Sequence, residues 1–474
     1  MALRNSRLSA DVVHDRVRHL VVTASSAADL EGFEGEIATG ERGARLTGPL
    51  STTNAAALRS QFANLQPTLL GARRSIGTGD RLGLATPGHV RAFQRFGTGV
   101  TPVFAQQSIR EMDRLNRDVQ SVLDDATFGC VEAGWEGLVG ADTDHIKTEE
   151  GIDRGLAAGF TMFTLDPGDE VIDPDSVQGE LDDYVPWRDL DDDEASLLRR
   201  YSGRQVDLGT QALEISAEDV RRAAVKYGRT IARTMQMARH LLDNAGRDVE
   251  IEVAVDETDL VTSFIEHYYL AAELQRLGLR WVSLAPRYVD GFEKGVEFLG
   301  DPAGLEDNLR GHTAIADQFG GYKISLHSGS DKFSIYPLAV EATQGRIHLK
   351  TSGTSYLCAL DVAALKEPDL VRDMYRVCRE SYRQARASYQ VSADLSTTPE
   401  PDNVSDENVP ELVTQFDTRQ ILHVGYGDVL TFQDARGNRP YASELRAVLE
   451  THPDLYSDVL SEHIGKHLAP FATT

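Results

Sequence analysis

Residues 322–353 read Y-K-I-S-L-H-S-G-S-D-K-F-S-I-Y-P-L-A-V-E-A-T-Q-G-R-I-H-L-K-T-S-G, and the same pattern occurs twice in this stretch. Each half begins as a short apolar strand and ends abruptly in polar, charged and glycine residues. His327 lies near the end of the first strand and His348 near the end of the second, and helical spacing at 331–342 separates the two. In a barrel of parallel strands the carboxyl ends meet at one rim, where such barrels hold their active sites. The stretch therefore predicts a strand–helix–strand unit with functional side chains at its polar ends.

The same form of apolar strand with a polar end recurs upstream, at 82–87, 102–107, 137–145, 161–167, 249–257 and 281–288. Helical spacing of apolar residues separates most of these strands, notably at 216–245, 263–277 and 303–319. Eight strands alternating with helices favour a closed (β/α)8 TIM-type barrel of the α/β class over an open doubly wound sheet. No G-x-G-x-x-G motif follows the first strand, so a dinucleotide site is not indicated.

The predicted barrel covers residues 76–390 of the 474. Residues 1–75 are expected to form an N-terminal extension packing on the barrel, with a helix at 53–65, and residues 391–474 to form a C-terminal helical cap. An acidic insertion follows the fourth strand, where thirteen acidic residues at 166–194 accompany a single Arg188. This insertion is best explained as a solvated excursion, and a lid over the active site is the alternative.

Composition limits the classes of partner. A formal net charge of −26 argues against nucleic acid and anionic membranes, because phosphate binding depends on clustered Lys and Arg. The three cysteines form no C-x-x-C motif, and neither a signal peptide nor a run of about 18 apolar residues is present. We therefore expect a soluble cytoplasmic protein without disulfides.

Three of the thirteen histidines lie at or near the polar ends of predicted inner strands, namely His145, His327 and His348. A catalytic metal site commonly uses three protein ligands and leaves a position for water or substrate. We predict that these histidines bind one divalent cation, and imidazole suits zinc, nickel, cobalt, iron and manganese alike. The alternative is that some of these rings only donate hydrogen bonds within the rim. Other histidines, including His463 and His467, are expected at the surface.

Carboxylates accompany two of the predicted strand ends. Asp142 and Asp144 precede His145, while Asp256 and Glu257 end the fifth strand. Side chains alternate in direction along a strand, so not every member of each group can face the barrel lumen. We predict that Asp144 and Glu257 act as the acid–base pair. A fourth metal ligand is the alternative role for Glu257.

Cationic residues also cluster at these ends. Only 8 of the 48 cationic residues are Lys, yet five of the eight lie in or beside the strand-end segments: Lys147, Lys294, Lys323, Lys332 and Lys350. A compact ammonium is a good partner for a carboxylate or alkoxide, so Lys147, Lys332 and Lys350 are predicted to bind substrate, while chance clustering is the alternative. Lys323 begins its strand and is expected at the opposite rim.

Two further substrate contacts are predicted from the loop at 328–331, which leads into a helix. Backbone N–H groups at such a position can hold an anionic group of a substrate, which makes Ser328 and Asp331 candidates. An ordinary helix N-cap is the alternative. Arg287, just after the sixth strand, is a candidate for carboxylate recognition.

Seven segments resemble the tagaturonate/fructuronate epimerase family, namely residues 77–89, 105–111, 141–148, 283–288, 292–296, 325–337 and 348–357. The resemblance spans about residues 75–390, and its longest continuous part is S-L-H-S-G-S-D-K-F-S-I-Y-P at 325–337. It implies a metal-dependent isomerase that inverts C4 to interconvert D-tagaturonate and D-fructuronate. Two positions depart from the family pattern: Ser352 stands where Ala is expected, and Gln390 where His is expected.

In such a 2-keto hexuronate a metal can polarise the C2 ketone. C4 lies one carbon beyond the acidic position, so two routes stay open: retro-aldol cleavage of C3–C4, or proton removal and return at C4. The alternatives to this function are a metal-dependent sugar isomerase, a class II-type aldolase, or a non-catalytic sugar-acid-binding paralogue. The expected partner is a small sugar acid, and a homo-oligomer is left open.

Overall fold

The structure is a computed structural model that describes residues 3–14, 17–41, 43–209 and 211–472. Its centre is a closed barrel of eight parallel strands, which confirms the predicted TIM-type barrel. The strands follow one another around the ring in chain order. The last pairs with the first in parallel, with His348 opposite Ser75 and Lys350 opposite Gly77, so the ring has no free edge.

An antiparallel sheet precedes the barrel, with its five strands in the order β1-β2-β3-β5-β4. The elements of this part are β1 (Leu3–Arg4), β2 (Leu8–His14), β3 (Arg18–Ala24), β4 (Glu36–Gly40), β5 (Gly43–Gly48) and α1 (Thr52–Gln61). In β2 the apolar residues Leu8, Ala10 and Val12 are buried, while the residues between them are partly exposed. This alternation is what places one face of a strand against a core. Helix α1 corresponds to the helix predicted at 53–65.

The barrel strands are β6 (Ser75–Gly77), β7 (Thr101–Ser108), β8 (Gly140–Ile146), β9 (Met162–Leu165), β12 (Glu250–Ala254), β13 (Ser283–Ala285), β14 (Lys323–Leu326) and β15 (Ile347–Lys350), with a hairpin of β10 (Gln205–Asp207) and β11 (Ala212–Glu214) between the fourth and fifth. The first strand was predicted at 82–87, and that prediction was wrong. The carboxylate of Asp80 accepts the N–H groups of Leu82, Gly83 and Ala85, so this segment folds as a loop. Pro87 then opens a helix, where its fixed φ and missing N–H are tolerated.

Helices surround the barrel: α2 (Thr86–Phe96), α3 (Ile109–Leu115), α4 (Val119–Ala133), α5 (Glu149–Ala158), α6 (Glu194–Tyr201), α7 (Ala217–Asn244), α8 (Phe264–Arg276), α9 (Pro302–Gln318), α10 (Tyr336–Ala342), α11 (Thr354–Lys366) and α12 (Pro368–Ala385). The helices predicted at 216–245, 263–277 and 303–319 are α7, α8 and α9. The helix predicted at 331–342 begins only at Tyr336. Ser328 and Asp331 both adopt positive φ, which turns the chain before a helix can form.

The acidic insertion is partly packed. Val185 and Leu190 of the insertion, like Leu197 of α6 directly after it, are buried in the same core as the barrel. Arg200 of α6 joins the insertion to the barrel helices, with its Nη1 atom 2.7 Å from Asp192 and 3.1 Å from Glu273 of α8. Most carboxylates of the insertion face solvent, while its apolar residues Val185 and Leu190 pack into the core and anchor it to the barrel.

The C-terminal residues form five more helices, α13 (Val409–Leu412), α14 (Phe416–Val424), α15 (Tyr426–Leu430), α16 (Pro440–Thr451) and α17 (Pro453–Leu468). These helices share a second apolar core with α11 and α12. None of the helices in the described residues is both long and apolar enough to cross a membrane. The packing brings the segment at 387–390 and helix α17 against the rim of the barrel where the strands end.

Candidate active site

A cavity of about 390 Å³ opens at the carboxyl ends of the barrel strands. Its wall is formed by residues that follow β12, β13 and β14, including Glu257, Arg287 and His327, and by Tyr389, which follows α12. A narrower recess shares Glu257 and His327 with the cavity and reaches down to Asp144, His145 and Lys350. The volume and the polar lining suit a small sugar acid.

Two of the predicted metal-binding histidines meet at this cavity. The rings of His145 and His327 lie 4.8 Å apart, centroid to centroid, in an edge-to-face arrangement. Together with Asp256 they form a group in which one ligand atom of each residue lies within 4.8 Å of the others. The Nδ1 atom of His327 is 3.0 Å from Oδ1 of Asp256, yet the two buried atoms make no well-aligned hydrogen bond.

This group fits a divalent cation. A histidine that binds metal usually donates its other ring N–H to a carboxylate, which orients the ring. Nδ1 of His145 lies 2.9 Å from Asp166, and Nε2 of His327 lies 2.7 Å from Glu252. The other ring nitrogen of each histidine and a carboxylate oxygen of Asp256 therefore supply three metal-ligand atoms. A cation with three protein ligands keeps a coordination position for a substrate atom. A second group, His145, Asp166 and Glu257, overlaps the first.

The imidazole and carboxylate groups of the site shift one another's pKa in opposite directions. Burial alone would lower the pKa of His145, but Asp144 and Glu257 raise that pKa to about 10. Burial alone would raise the pKa of Asp256, but His327 and His145 lower it to about 2. His145 also has a φ of +49°, an uncommon conformation for a residue with a side chain, of the kind that clusters at functional sites.

The third predicted histidine, His348, is not brought into this group. It faces the lumen two residues before β15 ends, so it lies one layer below the rim. Its Nδ1 atom is 2.8 Å from Oγ of Ser75, and burial lowers its pKa to about 3. Lys323, expected at the opposite rim, is also buried in the lumen, 3.3 Å from Oγ of Ser75. Asp256 thus takes the position in the group that was predicted for His348.

Lys350 lies at the centre of a buried network beneath the group. Its Nζ atom is 2.6 Å from Asp144, 2.7 Å from Glu252 and 3.0 Å from Asp142. Burial would lower the pKa of Lys350, but these carboxylates keep it well above its ordinary value. Burial raises the pKa of Asp142 to about 6. Sequence reasoning missed Glu252, although it stands four residues before Asp256 and so on the same side of the strand.

The predicted acid–base pair lies at the cavity. Asp144 accepts hydrogen bonds from Lys350 and, at 2.7 Å, from Nε2 of Gln106. Glu257 is held by both terminal nitrogens of Arg110, at 2.7 and 3.0 Å. Burial would raise the pKa of Glu257, but His145 and Arg110 lower it to about 2. Burial would also raise the pKa of Asp144, but Lys350 and His145 hold it well below its ordinary value, so both carboxylates are ionised at neutral pH. Arg110, which sequence reasoning did not single out, lines the same cavity.

Three of the predicted substrate-binding residues lie on the loop after β14, and only one of them reaches the cavity. Ser328 lines the cavity, but Asp331 and Lys332 do not. The carboxylate of Asp331 lies 2.5 Å from Nε2 of His463, and its backbone N–H donates to Nε2 of His467. The ammonium of Lys332 donates to backbone carbonyls of the neighbouring loops. These two residues shape the loop that carries Ser328.

Asp331, His463 and His467 also lie close enough together to hold a metal ion. However, Nδ1 of His467 donates to the carbonyl of His463, and its Nε2 accepts the N–H of Asp331, so neither nitrogen is free. The group is better explained as a tie between α17 and the loop after β14. The expectation that both histidines lie at the surface was wrong for His467, which is fully buried.

Lys147 and Arg287, two predicted substrate contacts, line the cavity. The ammonium of Lys147 lies 2.7 Å from Asp169 of the acidic insertion and 3.8 Å from Glu257. Of all the predicted site residues, eight line the cavity or its recess: Asp144, His145, Lys147, Glu257, Arg287, His327, Ser328 and Lys350. Three do not: Asp331, Lys332 and His348.

Comparisons with known proteins agree with the sequence resemblance. The family model described as tagaturonate epimerase matches residues 7–471. The tagaturonate/fructuronate epimerase of Thermotoga maritima is 40% identical over 419 residues, covering 88% of this chain and 84% of that protein. A glycerol-bound crystal structure of the fructuronate-tagaturonate epimerase of Cohnella laeviribosi superposes with a TM-score of 0.90 at 33% identity, covering 99% of this chain and 95% of that one. The native structure of that enzyme gives a TM-score of 0.90 at 32% identity.

Proposed function

Because the chain belongs to the tagaturonate epimerase family, whose members are carbohydrate epimerases, we propose that it inverts C4 of a 2-keto hexuronate with the help of a divalent cation. The substrates would be D-tagaturonate and D-fructuronate. The observation that supports a metal-assisted reaction is the group of His145, His327 and Asp256 at the cavity. Each histidine of this group is backed by a carboxylate, as metal ligands commonly are.

His145, His327 and Asp256 are the residues that would hold the cation. When bound there, a divalent cation supplies Lewis-acid polarisation of the C2 ketone. Asp166 and Glu252 keep the two rings oriented through the hydrogen bonds that they accept. Lys350 balances the charge of Glu252 from below, so the carboxylate stays ionised in a fully buried position.

Glu257 is the proton acceptor in this proposal. Its side chain faces the cavity, and its low pKa means that it begins the cycle ionised. Arg110 fixes both of its oxygens, so the carboxylate is already oriented before the substrate binds. Glu257 would take a proton from the C4 hydroxyl in the retro-aldol route, or from C4 itself in the deprotonation route.

Asp144 and Lys147 are further charged groups of the site. Asp144 lies in the recess with Lys350, and Lys147 stands at the rim 3.8 Å from Glu257. The pKa of Lys147 is raised, because Asp166, Asp169 and Glu257 outweigh the opposing effect of its partial burial. Its ammonium therefore holds a proton at neutral pH and can stabilise a developing alkoxide. Ser328 is a further hydrogen-bond partner for substrate hydroxyls.

The direct test is incubation of the protein with D-tagaturonate and each of several divalent metals, with the products identified by NMR. We expect D-fructuronate to accumulate when metal is present. Without metal, the rate of its formation should be much lower. An aldose product would indicate an isomerase, and stable three-carbon products would indicate an aldolase. No change in the sugar under any divalent metal would eliminate the proposed function.

The same experiment in D₂O separates the two routes. Deuterium at C4 of the product indicates proton removal and return at that carbon. A product without deuterium at C4, together with an aldehyde fragment that can be trapped, indicates cleavage and re-addition. Glu257→Gln is expected to lower kcat by about 10²–10⁴-fold in either case, the range typical of a positioned acid or base.

A further inference from the structure

The cationic side chains of the cavity differ in whether they have a carboxylate partner. Arg110 is paired with Glu257 through two hydrogen bonds, and Lys147 is paired with Asp169 at 2.7 Å. Their charges are therefore largely balanced within the protein. Arg287 and Lys294 line the same cavity and lack a comparable partner among the described residues.

Arg287 is buried without full use of its hydrogen-bonding groups. Only 9% of the residue is exposed, and its Nε atom has no partner among the described residues. The one ion pair that it makes within the described ranges, from Nη2 to Asp290, is 3.4 Å long, and the Asp290 side chain is 89% exposed to solvent. A guanidinium in this state is costly unless a ligand completes its hydrogen bonds.

Lys294 has neither a hydrogen bond nor an ion pair from its ammonium within the described part of the chain, and its Nζ atom lies 6.0 Å from the ring of Tyr389. Its backbone is nevertheless held firmly. The ammonium of Lys332 binds the carbonyls of Glu293 and Val296, on either side of Lys294. The N–H of Lys294 donates to Gln390, 3.2 Å away. A rigid loop thus presents at the cavity an ammonium that has no hydrogen-bond or ion-pair partner among the described residues.

The residue after Lys294 explains how the loop can take this path. Gly295 has a φ of +74°, and a Cβ atom there would lie 3.1 Å from Nδ1 of His423. Its carbonyl accepts a hydrogen bond from Nε of Arg419, 2.9 Å away. Contacts from the barrel and from the C-terminal helices therefore fix the position of Lys294 on both sides, as is typical of a preorganised binding residue.

We propose that Arg287 and Lys294 form an anion subsite that binds the C6 carboxylate of the substrate. This inference rests on the proposed function and adds the orientation of the substrate to it. A guanidinium can bind a carboxylate through two hydrogen bonds, and an ammonium adds a point charge. With C6 held at this subsite and the C2 ketone directed toward His145, His327 and Asp256, C4 lies between the two ends. The subsite would make the enzyme selective for sugar acids over neutral ketoses.

The test compares Lys294→Met, Lys294→Arg and wild-type protein, with Lys366→Met as a matched control on the exposed end of α11. A charge-assisted hydrogen bond contributes enough that KM for D-tagaturonate should rise about 10- to 100-fold in Lys294→Met. We expect kcat to change less than threefold, because the contact is present in both the ground state and the transition state. Lys294→Arg should recover most of the loss, and Lys366→Met should behave as wild type.

Calorimetric binding of neutral D-tagatose provides the second readout. Unchanged D-tagatose binding in Lys294→Met supports recognition of the carboxylate. An equal loss for the sugar acid and the neutral ketose, or an unchanged KM for D-tagaturonate, overturns the proposal. If D-tagatose binds too weakly to measure, the recovery in Lys294→Arg decides. A wild-type protein that does not convert D-tagaturonate at all would instead refute the proposed function.

Discussion

Glu252→Gln tests whether the charged lumen of the barrel supports the metal-binding group. Glu252 is fully buried, and its Oε1 atom lies 2.7 Å from Nε2 of His327 and 2.7 Å from Nζ of Lys350. Glutamine keeps an oxygen in this position but removes the negative charge that makes the His327 ring a stronger metal ligand. Loss of a carboxylate behind a metal-binding histidine typically lowers metal affinity about 10- to 100-fold, or about 1.4–2.8 kcal/mol.

Metal affinity can be measured by competition with a chromophoric chelator, with Glu250→Gln as the matched control. Glu250 lies two residues earlier on the same strand and accepts the backbone N–H groups of Leu70 and Gly71, away from His327. We expect Glu250→Gln to lower the free energy of unfolding while leaving metal affinity within about twofold of wild type. Equal metal affinities for Glu252→Gln and wild type, or equal losses in both variants, would refute the reasoning.

Three further predictions follow from the same geometry. Asp256→Asn should abolish high-affinity metal binding, whereas His348→Leu should retain it; elemental analysis after dialysis distinguishes the two, and equal metal contents would contradict the assignment. His89 is fully buried, and burial lowers its pKa to about 4 from 6.5, so its contribution to stability is present above pH 6.5 and lost as the pH falls toward 4. The difference in unfolding free energy between wild type and His89→Gln should therefore shrink by about 2 kcal/mol between pH 7.5 and pH 5, measured by urea denaturation. His467→Ala leaves the buried N–H of Asp331 without an acceptor and should cost about 1–3 kcal/mol in unfolding free energy and also lower kcat; an unchanged kcat would show that the loop after β14 does not depend on α17.

The barrel could be predicted because its strands and helices alternate along the chain, but the first strand could not. β6 is short, and among its residues Ser75–Gly77 only Ile76 is a large apolar residue, so no apolar run marks it in the sequence. The more apolar run at 82–87 resembles a strand in composition. This run instead forms a loop, because three of its backbone N–H groups donate to the buried carboxylate of Asp80. A pattern of apolar residues does not reveal such hydrogen bonds.

The site could be predicted only in part. The position of a residue along its strand determines whether its side chain reaches the rim of the barrel or lies deeper in the lumen. His327 comes directly after β14 ends and reaches the rim, whereas His348 comes two residues before β15 ends and lies lower. That difference depends on where each strand ends, which the sequence pattern leaves uncertain by a few residues. The cavity residue Tyr389 follows α12, near the end of the predicted barrel, where no strand rhythm locates a residue relative to the rim.

The hydrogen bonds from His463 and His467 to the loop after β14 have a consequence for the order of events during synthesis. These histidines stand more than 130 positions after Asp331. A ribosome has therefore long since released the eight barrel strands when it adds the helix that secures this loop. The loop after β14 therefore gains these two contacts only after α17 has been synthesised, well after the last barrel strand.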